Sequence, residues 1–238
     1  RLSCILDLLF TVTEAVQKGL ARLTHASSVY YNEPQVLLAE KLAATLDAPL
    51  RRSLFIQSGA DSNEAAILFA RRATGRSAVA ALHLGFHGYS DVSRAMSYIA
   101  AAPNHGPTIP DLYAIPAPYA YRSPIDSDGD TWWMPLLDIS FETLDRQCAG
   151  NLAAVIIEPV ISAGGVIELP VGYIRALKQR LEDRGALLIF DEAQTGLGKL
   201  GDMYAYQQCG VLPDILTISK HFGGGLAISA MITSDEIE

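Results

Sequence analysis

The sequence predicts an α/β protein built on a doubly wound, mostly parallel sheet. Short apolar runs of strand length alternate with segments whose apolar side chains recur at helical spacing. Turn sequences of the kind that join antiparallel hairpins are scarce between these runs. With 238 residues and 50% apolar composition, the chain is long enough to enclose one large core. We therefore expect helices on both faces of a single sheet.

Each predicted element is bounded by a residue that interrupts its pattern. Pro49 follows the first helix, and Gly75 is placed to cap the second. Residues 101–135, rich in Pro, Tyr, Asp and Gly, indicate a long ordered excursion over the surface. The elements, in chain order, are helix 34–46, strand 53–57, helix 61–75, strand 77–84, helix 140–148, strand 152–160, helix 172–185, strand 186–192 and strand 214–220.

The charge balance argues against two classes of partner. The chain has 18 basic and 26 acidic residues, a formal charge of −8, and no block of Lys or Arg that could follow a phosphate backbone. We therefore expect no nucleic-acid partner and no membrane partner. No apolar run approaches the roughly 20 residues that span a bilayer. The cysteines, Cys4, Cys148 and Cys209, are far apart in the chain, which favours free thiols and a cytoplasmic location.

Polar or glycine-bearing residues follow five of the predicted strands. In a doubly wound sheet, ligands bind beyond the carboxyl ends of the strands. These groups are therefore expected to meet at one edge of the sheet. They are Gln57-Ser58-Gly59, His83 to His87, Glu158, Asp191 and Lys220.

The segment LLIFDEAQTGLGK, residues 187–199, fits two different chemistries. An apolar strand that ends in Asp-Glu presents a carboxylate to magnesium in many nucleotide hydrolases. Such enzymes also need an earlier glycine-rich loop that ends in Gly-Lys-Ser or Gly-Lys-Thr. The only Gly-Lys pair here, Gly198-Lys199, follows the acidic residues and precedes Leu200. His83 and His87 flank Gly85 where a strand passes into a loop, which is poor metal geometry, so no metal site is predicted.

The second chemistry uses Lys220 as a Schiff-base lysine for pyridoxal 5′-phosphate. Asp191, at the end of a buried strand, is placed to keep the pyridine nitrogen protonated. Residues 58–60 open a helix and offer backbone N–H groups to the phosphate, while Phe86 and His87 supply flat partners for the ring. Taken singly, a solvated lysine and an ordinary helix cap explain these residues equally well. Their shared position at successive strand ends favours the cofactor.

Several longer segments resemble the class III, or omega-type, aminotransferases of fold type I. They are FIQSGADSNEAAILFARRATG, GFHGYS, AAVIIEPVISAGGVIELPVGY, LLIFDEAQTGLGKLGDMYA and PDILTISKHFGGGL. The segments AIPAPYAYR at 114–122 and DRQCAGNLAAVIIEP at 145–159, with DEAQ in place of DEVQ, are similar to the 2,2-dialkylglycine decarboxylase branch. The similarity covers nearly all of residues 20–238.

The resemblance implies a role for each candidate residue. Lys220 would be the Schiff-base lysine and the proton carrier, and Asp191 would pair with the pyridinium. Gln194 would bind the phenolic oxygen of the cofactor, and Ser58, Gly59 and Ala60 would bind its phosphate. Phe86 and His87 would contact the ring, with His87 stacked on it. Glu158 and Ser162 would lie on the substrate side.

The implied reaction is amino-group transfer between an amino acid and a keto acid. It would be either decarboxylation-dependent transamination of a 2,2-dialkylglycine or plain omega-amino acid or 4-aminobutyrate-type transamination. Ala163 stands where the decarboxylase branch has a serine, so both reactions stay open. The resemblance also implies a homodimer or tetramer.

The resemblance further implies a division of the chain. Residues 1–30 would be the remnant of an N-terminal segment, and 31–238 an incomplete cofactor-binding large domain. The C-terminal small domain would be absent. An inactive fragment with only a structural role is the remaining alternative.

Overall fold

The computed structural model describes residues 2–27, 29–98, 109–126 and 128–238, with side chains from residue 10 onward. The helices are α1 (Leu2–Arg22), α2 (Glu33–Ala43), α3 (Gly59–Thr74), α4 (Asp91–Ala95), α5 (Met134–Cys148), α6 (Val171–Glu182) and α7 (Ala205–Cys209). The strands are β1 (Arg52–Ile56), β2 (Ala78–Leu82), β3 (Leu112–Ile115), β4 (Leu152–Ile157), β5 (Val160–Ile161), β6 (Ile167–Glu168), β7 (Leu187–Asp191), β8 (Ile215–Ile218) and β9 (Ser229–Thr233).

A seven-stranded sheet in the order β1-β9-β8-β7-β4-β2-β3 forms the centre of the described structure. The pairs β2–β3, β2–β4, β4–β7 and β7–β8 are parallel. Strand β9 runs antiparallel to both of its neighbours, β1 and β8. Because β9 is reversed against both, β1 runs in the same direction as β8. Within this sheet, the carboxyl ends of every strand except β9 therefore meet at one edge, which confirms the predicted mostly parallel sheet.

The sheet is apolar on both faces because helices cover both. Strand β2, Ala-Val-Ala-Ala-Leu, is buried at every position. Its alternate residues enter opposite clusters: Ala78, Ala80 and Leu82 pack on one face, and Val79 and Ala81 on the other. Helices α5 and α6 contribute to the first cluster, and α3 to the second. This continuous burial is typical of parallel strands between two helical layers.

Three segments differ from the sequence prediction in extent. Helix α5 begins at Met134 rather than at 140, since Pro135 is compatible with the first helical turn. The loop predicted after β4 contains a short antiparallel pair, β5–β6. The predicted excursion includes strand β3, which pairs with β2. Part of that excursion, residues 101–108 and 127, lies outside the described residues.

Two expectations from composition can be compared with the described residues. Among them, no helix combines the length and apolar character needed to cross a membrane. Cys148 and Cys209 are free and buried, as predicted. The side chain of Cys4 lies outside the description.

Candidate active site

A pocket of about 700 Å³ opens at the edge where the parallel strands end. Helix α3, the loop after β2, the end of β7 and the turn after β8 form its wall. Most of the predicted site residues lie on this wall. They are Ser58, Gly59, Ala60, Phe86, His87, Asp191 and Lys220.

The first turn of helix α3 offers a site for an anion. Ser58 is the N-cap, and its side chain forms a capping box with Asp61. The first N–H groups of a helix have no acceptor within the helix, and they lie at the positive end of its dipole. The N–H groups of Gly59 and Ala60, on the pocket wall, are therefore available to a bound phosphate. The Ser58 hydroxyl already donates to Asp61 Oδ2 at 2.6 Å, so the backbone is the better donor here.

Two glycines allow close contact between the elements that form the pocket. A Cβ on Gly59 would lie 2.7 Å from Ser219 Oγ, so a side chain there would displace the Ser219 hydroxyl. A Cβ on Gly88 would lie 2.5 Å from the Ala60 Cβ, and Gly88 has a φ of +133°. Glycine is therefore required at position 88 for the loop after β2 to pack against helix α3, and Gly59 lets the end of β8 approach that helix closely.

Asp191 is buried at 4% exposure and is held by three donors. Its Oδ2 accepts from Asn63 Nδ2 at 2.8 Å and contacts His87 Nδ1 at 2.9 Å. Its Oδ1 accepts from the Ala193 N–H at 3.1 Å. A carboxylate has about four acceptor positions. One position on Oδ1 therefore remains for a donor in the pocket.

His87 lies on the pocket wall, and its stacking on a cofactor ring stays a prediction. Its Nδ1 is bonded to Asp191, and its Nε2 is buried without a partner among the described residues. Because a carboxylate oxygen can only accept, the proton of this hydrogen bond lies on Nδ1. Phe86, half-buried on the pocket wall and packed edge-on against Tyr89 at 5.0 Å, is also placed to cover a ring.

Lys220 lies two residues after the end of β8 and begins a short 3₁₀ turn. Its φ of +30° is rare for a residue other than glycine, and such strain is concentrated at functional sites. The side chain is exposed to the pocket opening, and it forms no ion pair within the described part of the chain. An unpaired amine and a buried carboxylate, Asp191, thus line the same pocket.

The remaining predicted site residues lie outside the pocket wall. Glu158 is buried behind Phe86, whose N–H donates to Glu158 Oε1 at 2.9 Å. Ser162 Oγ donates to Glu158 Oε2 at 3.0 Å. Burial, and secondarily the charge of Asp191, raise the pKa of Glu158. Gln194 is half-buried in the turn that follows β7, one residue beyond the wall residue Ala193.

Sequence reasoning missed two polar residues of the pocket. Asn63 lies four residues after Gly59, on the same side of helix α3, and Ser219 immediately precedes Lys220. Both are buried. A polar residue on the buried stripe of a helix, or next to a candidate lysine at a strand end, is the signal that could have indicated them.

Metal ligands are not grouped in the described residues. There, no three His, Cys, Asp or Glu side chains are placed to hold an ion.

Glu192, next to Asp191, has a structural role. Its carboxylate accepts from the N–H groups of Ala205 and Tyr206 at 2.7 and 3.0 Å, and from the Thr195 hydroxyl at 3.2 Å. It thereby holds the start of helix α7. Burial raises the pKa of Glu192 to about 7 despite these hydrogen bonds.

This raised pKa predicts a pH-dependent stability. Between the ordinary value of 4.5 and about 7, the folded protein holds the Glu192 proton more tightly than the unfolded chain does. The free energy of unfolding of the wild type, measured relative to Glu192→Gln, should fall by at most roughly 1.4 kcal/mol per pH unit as the pH rises through that range. Urea unfolding of both proteins at several pH values measures the difference. Parallel profiles would contradict the prediction.

The family of the chain follows from comparison with known proteins. The family model described as aminotransferase class-III matches residues 11–238. An uncharacterised aminotransferase of Schizosaccharomyces pombe is 42% identical over 228 residues, which is 95% of this chain and 51% of that protein. The acetylornithine aminotransferase of Methanocaldococcus jannaschii is 36% identical over 233 residues, covering 95% of this chain and 53% of that protein. The chain thus spans about half the length of the curated relatives it matches.

Solved structures agree with the sequence comparison. An (S)-enantioselective omega-transaminase from Thermomicrobium roseum superposes with a TM-score of 0.87 at 32% identity, over 95% of this chain and 53% of that one. An amine transaminase from an uncultivated Pseudomonas species, solved in its pyridoxal-phosphate-bound form, gives a TM-score of 0.87 at 29% identity, over 95% of this chain and 54% of that one. The sheet and its helices are those of the fold type I transaminases, and the chain belongs to the class III aminotransferase family.

Proposed function

We propose that the protein transfers an amino group between an amino acid and a keto acid, with pyridoxal 5′-phosphate as its cofactor. The observation that carries this proposal is the placement of one unpaired amine, Lys220, and one buried carboxylate, Asp191, on the wall that also contains the start of helix α3. Class III membership and a pyridoxal-phosphate-bound structural relative support the same cofactor.

The residues of the pocket wall suit the phosphate, the ring nitrogen and the ring face of this cofactor. Gly59 and Ala60 would bind the phosphate through their N–H groups. Asp191 would accept the ring N–H on the unused position of Oδ1. Phe86 would cover one face of the ring, with its backbone held by Glu158. Gln194, half-buried next to the wall residue Ala193, would bind the phenolic oxygen.

Each step of the transfer depends on a side chain of the pocket. Bound in the pocket, pyridoxal phosphate supplies an electron-withdrawing ring that stabilises negative charge at the substrate Cα. Lys220 Nζ would hold the cofactor in the resting protein and, once freed by the substrate amine, would take the proton from the substrate Cα as a general base and deliver it to C4′ of the cofactor as a general acid. Asp191, fixed by its three donors, would keep the ring nitrogen protonated throughout.

The experiment that tests the proposal follows nitrogen. Purified protein is incubated with pyridoxal phosphate, an amino acid donor labelled with ¹⁵N, and pyruvate or 2-oxoglutarate as acceptor. Label in the new amino acid is the expected result. Protein that binds the cofactor but transfers no label to any acceptor would contradict the proposed transfer.

The same assay addresses the decarboxylating alternative. The segments at 114–122 and 145–159 favour it, because they are similar to those of the 2,2-dialkylglycine decarboxylases. With 2-aminoisobutyrate and pyruvate, decarboxylation yields CO₂, acetone and alanine in equal amounts. Alanine formed only from donors that keep their carboxylate would identify plain transamination. Ala163, exposed after the Glu158–Ser162 pair, offers no hydroxyl to a departing carboxylate, so we expect plain transamination.

A homodimer or tetramer remains a prediction from the resemblance. Light scattering after size-exclusion chromatography measures it directly.

A further inference from the structure

A chain of buried hydrogen bonds runs behind the pocket from β8 to β7 through helix α3. The Thr217 hydroxyl donates to Asn63 Oδ1 at 2.7 Å. Asn63 Nδ2 donates to Asp191 Oδ2 at 2.8 Å and to the His87 carbonyl at 2.8 Å. Thr217 and Asn63 are each 1% exposed, and Asp191 is 4% exposed. The chain thus links the interior of the sheet to the carboxylate on the pocket wall.

The contacts of Asn63 fix its side chain in one orientation. Both N–H donors of its amide have acceptors, and its oxygen accepts from Thr217. A flipped amide would place its oxygen against Asp191 Oδ2 and its N–H groups against the Thr217 hydroxyl. Because these groups are buried, the mismatched contacts would cost free energy. Asn63 is therefore a rigid donor whose position depends on Thr217.

This rigid donor determines which oxygen of Asp191 the pocket can use. Asn63 and His87 together occupy Oδ2. Oδ1 accepts only the Ala193 N–H among the described residues. Without the Asn63 donor, rotation of the carboxylate about its last bond would no longer be opposed on that side. The orientation of Oδ1 then depends on His87 and Ala193 alone.

We propose that Asn63 is a positioning residue for the ring nitrogen of the cofactor, with Thr217 holding its amide. This inference rests on the proposed function, and it goes further by assigning recognition of one ring atom to a residue that does not act on the substrate. The positioning role predicts a selective effect on binding. Asn63 should strengthen the binding of a cofactor that carries a ring N–H and should not affect the binding of one that lacks it.

The test compares pyridoxal phosphate with its 1-deaza analogue, in which a C–H replaces the ring nitrogen. Dissociation constants for both ligands are measured by equilibrium dialysis on wild type, Asn63→Ala and Thr217→Val. A hydrogen bond to a charged group changes binding about tenfold or more. We expect Asn63→Ala to raise the dissociation constant of pyridoxal phosphate about tenfold and that of the analogue less than about twofold. Thr217→Val should shift selectivity in the same direction by a smaller factor.

Asn151→Ala is the matched control. Asn151 also bonds through both ends of its amide, to the hydroxyl and the N–H of Ser77, but it precedes β4 at the opposite edge of the sheet. It should leave both dissociation constants unchanged. If Asn63→Ala does not fold, as judged by circular dichroism, Thr217→Val carries the comparison because its side chain keeps the same shape.

The outcomes separate this inference from the proposed function. If Asn63→Ala and Thr217→Val weaken the binding of both ligands equally, or weaken the binding of neither, the positioning role is overturned. Wild-type protein that binds neither ligand would overturn the proposed function and this inference with it.

Discussion

Replacement of Lys220 with alanine is expected to abolish the visible absorbance that the cofactor acquires on attachment to the protein, and to lower amino transfer at least about a thousandfold. Among the residues that line the pocket, Lys220 carries the only ammonium group. Its loss removes both the covalent anchor and the group that moves the Cα proton. Absorbance spectra with added pyridoxal phosphate and the ¹⁵N transfer assay measure the two effects.

Lys199→Ala is the matched control for this substitution. Lys199 is exposed in the turn after β7 and lies outside the pocket wall. Its variant should keep the spectrum and the rate of the wild type. A Lys220→Ala protein that retains both would show that another amine performs the chemistry.

Replacement of Asp191 with asparagine is expected to lower amino transfer by about a hundredfold or more while the protein stays folded. The amide keeps the shape of the carboxylate and can still accept from Asn63 and His87 through its oxygen. It cannot supply the negative charge that keeps a ring nitrogen protonated. The rate of ¹⁵N transfer and the affinity for pyridoxal phosphate should both fall, and the preference over the 1-deaza analogue should disappear.

Glu192, the residue next to Asp191, provides the control for this substitution. Glu192→Gln changes a carboxylate that faces helix α7 instead of the pocket. It should alter stability and leave cofactor selectivity intact. Loss of selectivity in Glu192→Gln with retention in Asp191→Asn would contradict the roles given to the two acids.

The fold could be predicted because its signals are local and repeated. Buried strands such as β4 and β8 are continuous apolar runs, and the helices between them show helical spacing. The rule that ligands bind at the carboxyl ends of strands then placed Asp191 and Lys220 on one wall. Helix α5 began earlier than predicted because its first turn, with Pro135, breaks the apolar pattern without breaking the helix.

Side-chain partners across the sheet could not be predicted in the same way. The bond between His87 and Asp191 joins residues 104 positions apart, and the bond between Thr217 and Asn63 joins residues 154 apart. No periodicity in the sequence encodes which atom of one side chain meets another at that separation. For that reason neither the bond of His87 to Asp191 nor Asn63 as a partner of Asp191 was predicted from the sequence.

The reversed strand β9 has a consequence for the position of helix α3 relative to the lysine. It lies between β8, which ends two residues before Lys220, and β1, which leads into helix α3. At the first residue of β9, the Ser229 hydroxyl donates to the Ser58 carbonyl at 2.7 Å. Beyond β9, the helix start meets the residue that precedes the lysine, since a Cβ on Gly59 would lie 2.7 Å from Ser219 Oγ. Strand β9 thus fastens the N-cap of the anion-binding helix to the sheet, beside the segment that carries the amine, before any ligand arrives.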